Sequence, residues 1–271
     1  MNAKMETTVN IRGCRYFVTA QGNGRTLLLL HGFTGSSQNW QEITPTLSSR
    51  YRVIAIDLLG HGRTSSPLDP ARYQMAEAAA DLMAILDELG VTQVELLGYS
   101  MGGRLALYTA SHYPHRIRRL ILESASPGLK TARERRKRRQ QDEALADRIE
   151  RDGIEPFVNF WEKLPLWDSQ KRLAAAARQK LRQQRLQNNP AGLARSLRGM
   201  GSGVQPSLWG KLGRLPMPVL LLAGALDSKF SSLNRQMAAQ IPAARLEIVS
   251  GAGHTIHLER PSRFSRLILA D

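Results

Sequence analysis

Five residues near the middle of the chain, Gly98-Tyr99-Ser100-Met101-Gly102, restrict its fold more than any other stretch. They follow the apolar residues Val94, Leu96 and Leu97 and lead into a helix-compatible segment, Arg104 to Tyr113. A serine in a G-x-S-x-G pattern between a buried strand and a helix sits on a strained reversal, and small residues two positions to either side avoid collision inside the turn. Such a turn lifts the hydroxyl above the end of a sheet. The same five-residue pattern occurs in ordinary glycine–serine turns, so the flanking chain has to supply matching strands and partners.

The flanking chain supplies strands first. Thr26 to Leu30, Tyr51 to Ile56, Ile117 to Leu122 and Pro216 to Ala223 are short apolar runs of the kind that form strands buried on both faces. Between them, Met75 to Leu89 places Ala79, Leu82, Met83, Ile85, Leu86 and Leu89 three and four residues apart, the period of an amphipathic helix, with Gly90 as its stop. Further helices are expected at Trp40 to Leu47, Ser231 to Gln240 and Pro261 to Leu269, and a last strand near Leu246 to Val249. Thr8 to Ala20 reads as a covering pair of short antiparallel strands turning at Gly13-Cys14. Strands alternating with helices predict an α/β chain with a mostly parallel, doubly wound sheet.

Residues 129–210 break that rhythm, having no convincing strand and an abundance of Arg, Gln, Ala and Leu. They are expected to form a helical lid inserted into a core made of residues 1–128 and 211–271, over the strand ends where open α/β sheets bind ligands. A length of 271 residues suits one core with an insertion better than two ordinary domains.

Charge points to the partner. Lys and Arg number 38 against 23 Asp and Glu, a net charge of +15, and the excess gathers in Lys130 to Arg139 and Lys171 to Arg198. An anion is implied: a small polyanionic substrate, nucleic acid or a membrane surface. The basic run is interleaved with acids and helix formers and lacks stacking aromatics, which argues against nucleic acid. The longest apolar runs are too short to span a bilayer, so no stable membrane insertion is expected. Met1 to Val9 lacks the pattern of a secretory leader and Cys14 stands alone, which fits a cytoplasmic protein without an internal disulfide. No cysteine cluster or H-E-x-x-H pattern suggests a metal, and no cofactor is implied. Oligomeric state is left open, with a monomer favoured.

A serine hydroxyl becomes a base or nucleophile when an imidazole accepts its proton, and the imidazole needs a carboxylate to fix its tautomer. Asp227 follows the strand ending at Ala223, and His254 closes the loop Gly251-Ala252-Gly253 after the next strand. The order Ser100, Asp227, His254 is that of the α/β hydrolases. Asp57 and His257 are the competing carboxylate and imidazole. Asp57 precedes Ser100 beside Gly60-His61-Gly62, where holding the loop is the simpler role, and the glycine-flanked position favours His254 over His257. Stabilising an oxyanion takes two converging backbone N–H groups, expected from Met101 and from Phe33 in the loop His31-Gly32-Phe33-Thr34-Gly35.

Taken together, His31-Gly32-Phe33-Thr34-Gly35-Ser36, Gly98 to Arg104 and Glu123-Ser124-Ala125-Ser126-Pro127-Gly128-Leu129 resemble the MenH family, α/β-hydrolase-fold synthases of 2-succinyl-6-hydroxy-2,4-cyclohexadiene-1-carboxylate. The resemblance covers nearly the whole chain. It implies elimination of pyruvate from 2-succinyl-5-enolpyruvyl-6-hydroxy-3-cyclohexene-1-carboxylate, a step towards menaquinone or phylloquinone. It also implies Arg104, Arg138 and Arg185 as ligands of the polyanion, with Arg139 or Arg135 replacing Arg138 if the lid register shifts, and Tyr99 and Trp161 as pocket walls. The family's aromatic residue after the tryptophan is replaced here by Glu162. On this reading Ser100 removes a ring proton and no covalent intermediate is needed. The competing expectation is a true hydrolase on the same scaffold, cleaving an ester or a carbon–carbon bond.

Overall fold

The computed structural model describes residues 4–270, so the first three residues of the Met1–Val9 stretch, read as carrying no leader, lie outside the described residues. Within that range the strands are β1 (Met5–Ile11), β2 (Cys14–Gln21), β3 (Arg25–Leu30), β4 (Tyr51–Ile56), β5 (Val94–Tyr99), β6 (Ile117–Glu123), β7 (Val219–Gly224) and β8 (Ala244–Val249). They form one eight-stranded sheet in the order β1-β2-β4-β3-β5-β6-β7-β8. From β4 to β8 every pairing is parallel. β1 and β2 pair antiparallel, and β2 continues onto β4 from Val18 opposite Ile56 to Gln21 opposite Val53. The N-terminal hairpin is therefore part of the sheet, extending its β4 edge.

Helices α1 (Thr44–Leu47), α2 (Met75–Glu88) and α3 (Met101–His112) belong to the first part of the core. Then come α4 (Ala132–Asp152), α5 (Ile154–Trp161), α6 (Ala175–Leu186) and α7 (Pro190–Met200) between β6 and β7, followed by α8 (Ser228–Ala238), α9 (Ile256–Glu259) and α10 (Pro261–Leu269). The central strands are apolar on both faces because both faces are covered. Along β3, Leu28 and Leu30 join the layer of Leu82 and Leu86 from α2 and Leu105 from α3, while Leu27 and Leu29 join that of Trp40, Phe264 and Ile268. Successive strand residues point to opposite faces, so one run of leucines feeds two cores. Among the described residues no helix is long and apolar enough to cross a membrane.

The insertion has a core of its own, in which Ala146 and Ile149 of α4, Phe157 and Val158 of α5, and Leu193, Ala194 and Leu197 of α7 are buried together. α4 begins at a capping box, with Thr131 Oγ1 accepting from Glu134 N and Glu134 reaching back to Thr131 N. Arg198 of α7 spans three carboxylates of α4: Glu143 at 2.6 Å, Asp147 at 2.5 Å and Glu150 at 2.9 Å. Spacings of four and three put those acids on one helix face. The two stems of the insertion meet, since Leu208 N donates to Pro127 O at 2.7 Å and Trp209 Nε1 donates to Gly128 O at 3.0 Å. Gly128 has φ +91° there, a conformation that favours glycine.

Because the Arg198 cluster is partly solvent-exposed, screening limits its worth to about 1–2 kcal/mol. Arg198→Ala should lower the unfolding free energy from urea titration by that amount at low salt, with a matching fall in the midpoint, and by roughly half of it in 1 M NaCl. An unchanged midpoint at low salt would remove this cluster from the forces that join α4 to α7.

Candidate active site

β5 ends at Tyr99 and α3 starts at Met101, which leaves Ser100 alone on the reversal with φ +50° and ψ −107°. A non-glycine residue held there costs about 1–3 kcal/mol, a strain that clusters at functional sites. Its neighbours show why they are small: a Cβ on Gly98 would run into the carbonyl of Gly102, and one on Gly102 into the carbonyl of Leu30. Ser100 N donates to Glu123 O at 2.9 Å, and Ser100 O accepts from Arg104 N at 3.0 Å.

The serine, imidazole and carboxylate fall in a line. His254 Nε2 lies 3.1 Å from Ser100 Oγ, and His254 Nδ1 lies 2.7 Å from Asp227 Oδ2. With Nδ1 facing a carboxylate the proton belongs on Nδ1, and the Nε2 lone pair is left to accept from the serine. Asp227 is also the N-cap of α8, its Oδ1 accepting from Phe230 N at 3.1 Å. The imidazole is 2% exposed, enclosed by the rings of Phe230, Tyr99 and Trp167 at centroid distances of 4.6, 5.5 and 5.7 Å.

The competing residues do other work. Asp57 accepts from Ser37 N at 2.6 Å and Arg63 N at 2.9 Å, tying two loops together. His257 Nδ1 donates to buried Glu123 Oε2 at 2.7 Å, and its ring lies against Trp40 at 4.4 Å.

Above Ser100 opens a cavity of about 300 Å³ lined by Phe33, Tyr99, Met101, Arg104, Arg138, Trp161 and His254 among others. Met101 is the first residue of α3, so its N–H is one of the helix donors without an intrahelical acceptor. Phe33 enters from the loop after β3, with Trp161 at 5.5 Å from its ring. Tyr99 Oη lies 3.1 Å from Thr255 Oγ1, and burial pushes its phenol well above the usual range. Two guanidinium groups reach this cavity. Arg104 Nη1 donates to Met200 O at 2.6 Å and Gln205 Oε1 at 3.1 Å, while Arg138 Nε donates to Asp142 Oδ1 at 2.7 Å. Burial, then the nearby charge of Arg138, lowers the Arg104 pKa to about 10, which leaves it cationic near neutrality.

Arg185 is placed beside this cavity, in a space that shares the walls Phe33, Tyr99 and Trp167 with it. It lines a smaller neighbouring pocket with Tyr99, Gln170 and Thr255, donating to Glu162 Oε1 at 2.9 Å and Gln170 Oε1 at 3.2 Å. Its guanidinium sits 5.3 Å from the centre of the Trp167 ring. Glu162, which stands where the family resemblance has an aromatic residue that is not always kept, also takes Arg182 at 2.9 Å. Arg135 donates to the carbonyls of Leu129 and Lys130, while Arg139 is exposed. Trp167 and Phe230 complete the cavity wall. Phe230 was signalled only by its place three residues after Asp227, the cap spacing, and Trp167 by nothing local.

Beneath the Phe33 loop two further imidazoles pack, His31 and His61, both buried with centroids 5.0 Å apart. His31 Nε2 accepts from Leu58 N at 3.0 Å and Nδ1 faces Gly32 O at 2.7 Å. Burial lowers the His31 pKa to about 4, and burial with the neighbouring His31 lowers that of His61 to about 3.

The sheet order, the raised serine and its His–Asp partners define an α/β-hydrolase-fold protein, and the profile of the family described as alpha/beta hydrolase fold matches residues 25–261. A protein of Bacillus subtilis, provisionally named a 2-succinyl-6-hydroxy-2,4-cyclohexadiene-1-carboxylate synthase, is 48% identical over 96% of this chain and 97% of its own. The synthase of that name from Serratia proteamaculans is 34% identical over 88% of this chain and 89% of its own. The solved structure of MenH from S. aureus superposes with a TM-score of 0.90 and 40% identity, covering 94% of this chain and 96% of that one. Within the α/β-hydrolase fold, then, the chain belongs to the MenH family of 2-succinyl-6-hydroxy-2,4-cyclohexadiene-1-carboxylate synthases.

The buried histidine pair gives stability a pH dependence of known sign. Both folded pKa values lie below the unfolded value of about 6.5, so the unfolded chain binds more protons in the interval between them. Stability is full above pH 6.5 and is lost as pH falls towards 4. The urea midpoint should report a loss of about 2 kcal/mol or more between pH 7 and pH 5, above the range where carboxylates titrate. A flat midpoint across that interval would show that the pair is not held neutral by burial.

Proposed function

We propose that the chain is a lyase that eliminates pyruvate from 2-succinyl-5-enolpyruvyl-6-hydroxy-3-cyclohexene-1-carboxylate to give 2-succinyl-6-hydroxy-2,4-cyclohexadiene-1-carboxylate, in menaquinone or phylloquinone biosynthesis. The names of its relatives support the reaction. One observation carries the reading to this site: the serine–imidazole–carboxylate line and two guanidinium groups open into the same closed-in cavity. A neutral ester needs no such cations, whereas a substrate with several carboxylates does, because a guanidinium fork binds a carboxylate through paired, charge-assisted bonds. In this reading Arg104 and Arg138 hold the anion, and Tyr99 and Trp161 shape the space around the ring. Arg185, paired with Glu162 and Gln170 in the adjoining pocket that shares Phe33, Tyr99 and Trp167 with this cavity, is the third anion ligand of this reading.

The chemistry follows from the proton positions. His254, oriented by Asp227, draws the proton from Ser100 Oγ, and the oxygen takes the acidic proton of the cyclohexene ring. Electron density moves onto the ketone oxygen of the 2-succinyl group, where the N–H groups of Phe33 and Met101 stabilise the developing oxyanion, each such donor being worth about 2.7–4 kcal/mol in serine enzymes. The carbon–oxygen bond to the enolpyruvyl group breaks, the departing enolate takes up a proton at carbon to become pyruvate, and loss of the proton held by the Ser100–His254 pair restores the site. Carbonyl attack is unnecessary, so Ser100 acts as a base. A cytoplasmic setting fits this reading, since buried Cys14 is a free thiol and asks for no oxidising compartment.

Pyruvate release from the cyclohexene substrate is the decisive assay. Ser100→Ala should lower kcat by about a thousandfold or more while leaving product binding intact; near-wild-type release would end the assignment of Ser100 as base. Rapid turnover of aryl esters through a trappable acyl-enzyme, with no pyruvate, would identify a hydrolase instead. Arg104→Ala and Arg138→Ala should each raise KM by about tenfold, with smaller changes in kcat. Either residue leaves the substrate site if both constants stay unchanged.

A further inference from the structure

The loop that carries His254 is held by a carboxylate that the triad does not include. Glu259, at the end of α9 and nearly buried, turns its side chain back onto the residues either side of the imidazole. Its Oε2 accepts from Gly253 N at 2.8 Å, and its Oε1 accepts from Thr255 N at 3.2 Å. A third donor comes from the insertion, where Ser169 Oγ lies 3.0 Å from Oε1. Gly253 has to be glycine for this arrangement, because a Cβ there would run into Ser169 Oγ. On the other side, Thr255 Oγ1 takes a bond from Gln170 Nε2 at 2.9 Å and lies 3.1 Å from Tyr99 Oη.

We propose that Glu259 is a positioning residue for His254: by accepting both flanking N–H groups it fixes the direction in which the imidazole leaves the backbone. This rests on the reading of Ser100 and His254 as the proton-transferring pair. A buried carboxylate is costly unless hydrogen-bonded, and three donors meeting on one make a rigid joint. The joint matters because Nε2 and Nδ1 must meet Ser100 and Asp227 together, and a displacement of about 1 Å can cost a hundredfold in rate. Neither Glu259 oxygen faces the ring of His254 through a bond; the action runs through the main chain.

Glu259→Gln tests the joint at constant shape. Its amide oxygen can replace one carboxylate oxygen, but its NH2 group then confronts a main-chain N–H that needs an acceptor. We expect kcat for pyruvate release to fall by about ten- to a hundredfold with KM changed less than threefold. Phosphorylation of Ser100 by diisopropyl fluorophosphate, with loss of fluoride, should slow in parallel, and the downfield proton resonance of His254 Nδ1–H should broaden or move. The last two readouts need no cyclohexene substrate, so they test Glu259 even if the lyase reading fails. A folded Glu259→Gln enzyme with wild-type kcat and phosphorylation rate overturns the proposal. Should that variant fail to fold, Ser169→Ala, which removes only the third donor, decides: a two- to fivefold fall in both rates supports the assignment, and no change in either overturns it.

Discussion

Close approach of main chain to main chain sets the spacing of the whole site. Gly98 stands beside Leu30 in the β3–β5 pairing, and Gly102 presses against the carbonyl of Leu30 from the following helix. Those contacts bring the loop after β3, with Phe33, next to the start of α3, with Met101. A second approach sets the other half, because a Cβ on Gly224 would run into the carbonyls of Ala252 and Gly253, and Leu226 N donates to Ala252 O at 2.9 Å. The end of β7, which carries Asp227, is thereby laid against the loop that carries His254. A parallel sheet offers such meeting points only at the carboxyl ends of its strands, where connecting loops leave together.

Much of this was legible because the physics is local. A strand buried on both faces must be apolar throughout, and β3, β4 and β6 announce themselves within one or two residues of their observed ends. The G-x-S-x-G reversal is equally local, since its glycines answer to neighbours within the same turn and the adjoining strand. The hairpin was read as a cover, whereas its second strand joins β4, a pairing fixed by sequence positions more than thirty residues away. Side-chain partners across the insertion were the least legible. Nothing in the sequence around Arg185 names its partners, and the fold shows Glu162 and Gln170 beside it. Glu259 was missed because its job depends on a backbone turn that brings position 259 back over positions 253 and 255.

The large positive charge resolves into unequal shares. Arg198 is absorbed by three carboxylates of α4, and Arg182 and Arg185 by Glu162, so these arginines join helices. Arg133, Arg136, Lys137 and Arg139 lie on the exposed side of α4. Among the described residues, Arg104 and Arg138 are the arginines that line the cavity above Ser100. Net charge thus overstates the local field at the reacting atoms, and burial of Arg104 compensates by making that one charge act through little intervening water.

Reactive groups and selective groups arise from different lengths of chain. Ser100, Asp227, His254, Phe33 and Met101 come from the ends of the sheet's own strands and the segments that follow them, while Arg138 and Trp161 come from the insertion. The insertion leaves and rejoins the sheet through a neck in which Pro127 and Gly128 are hydrogen-bonded to Leu208 and Trp209. A segment closed off at its base in this way is a cassette: a descendant gene can exchange what lies beyond the neck, and so the molecules admitted, provided that the replacement still braces the His254 loop as Ser169 and Gln170 do.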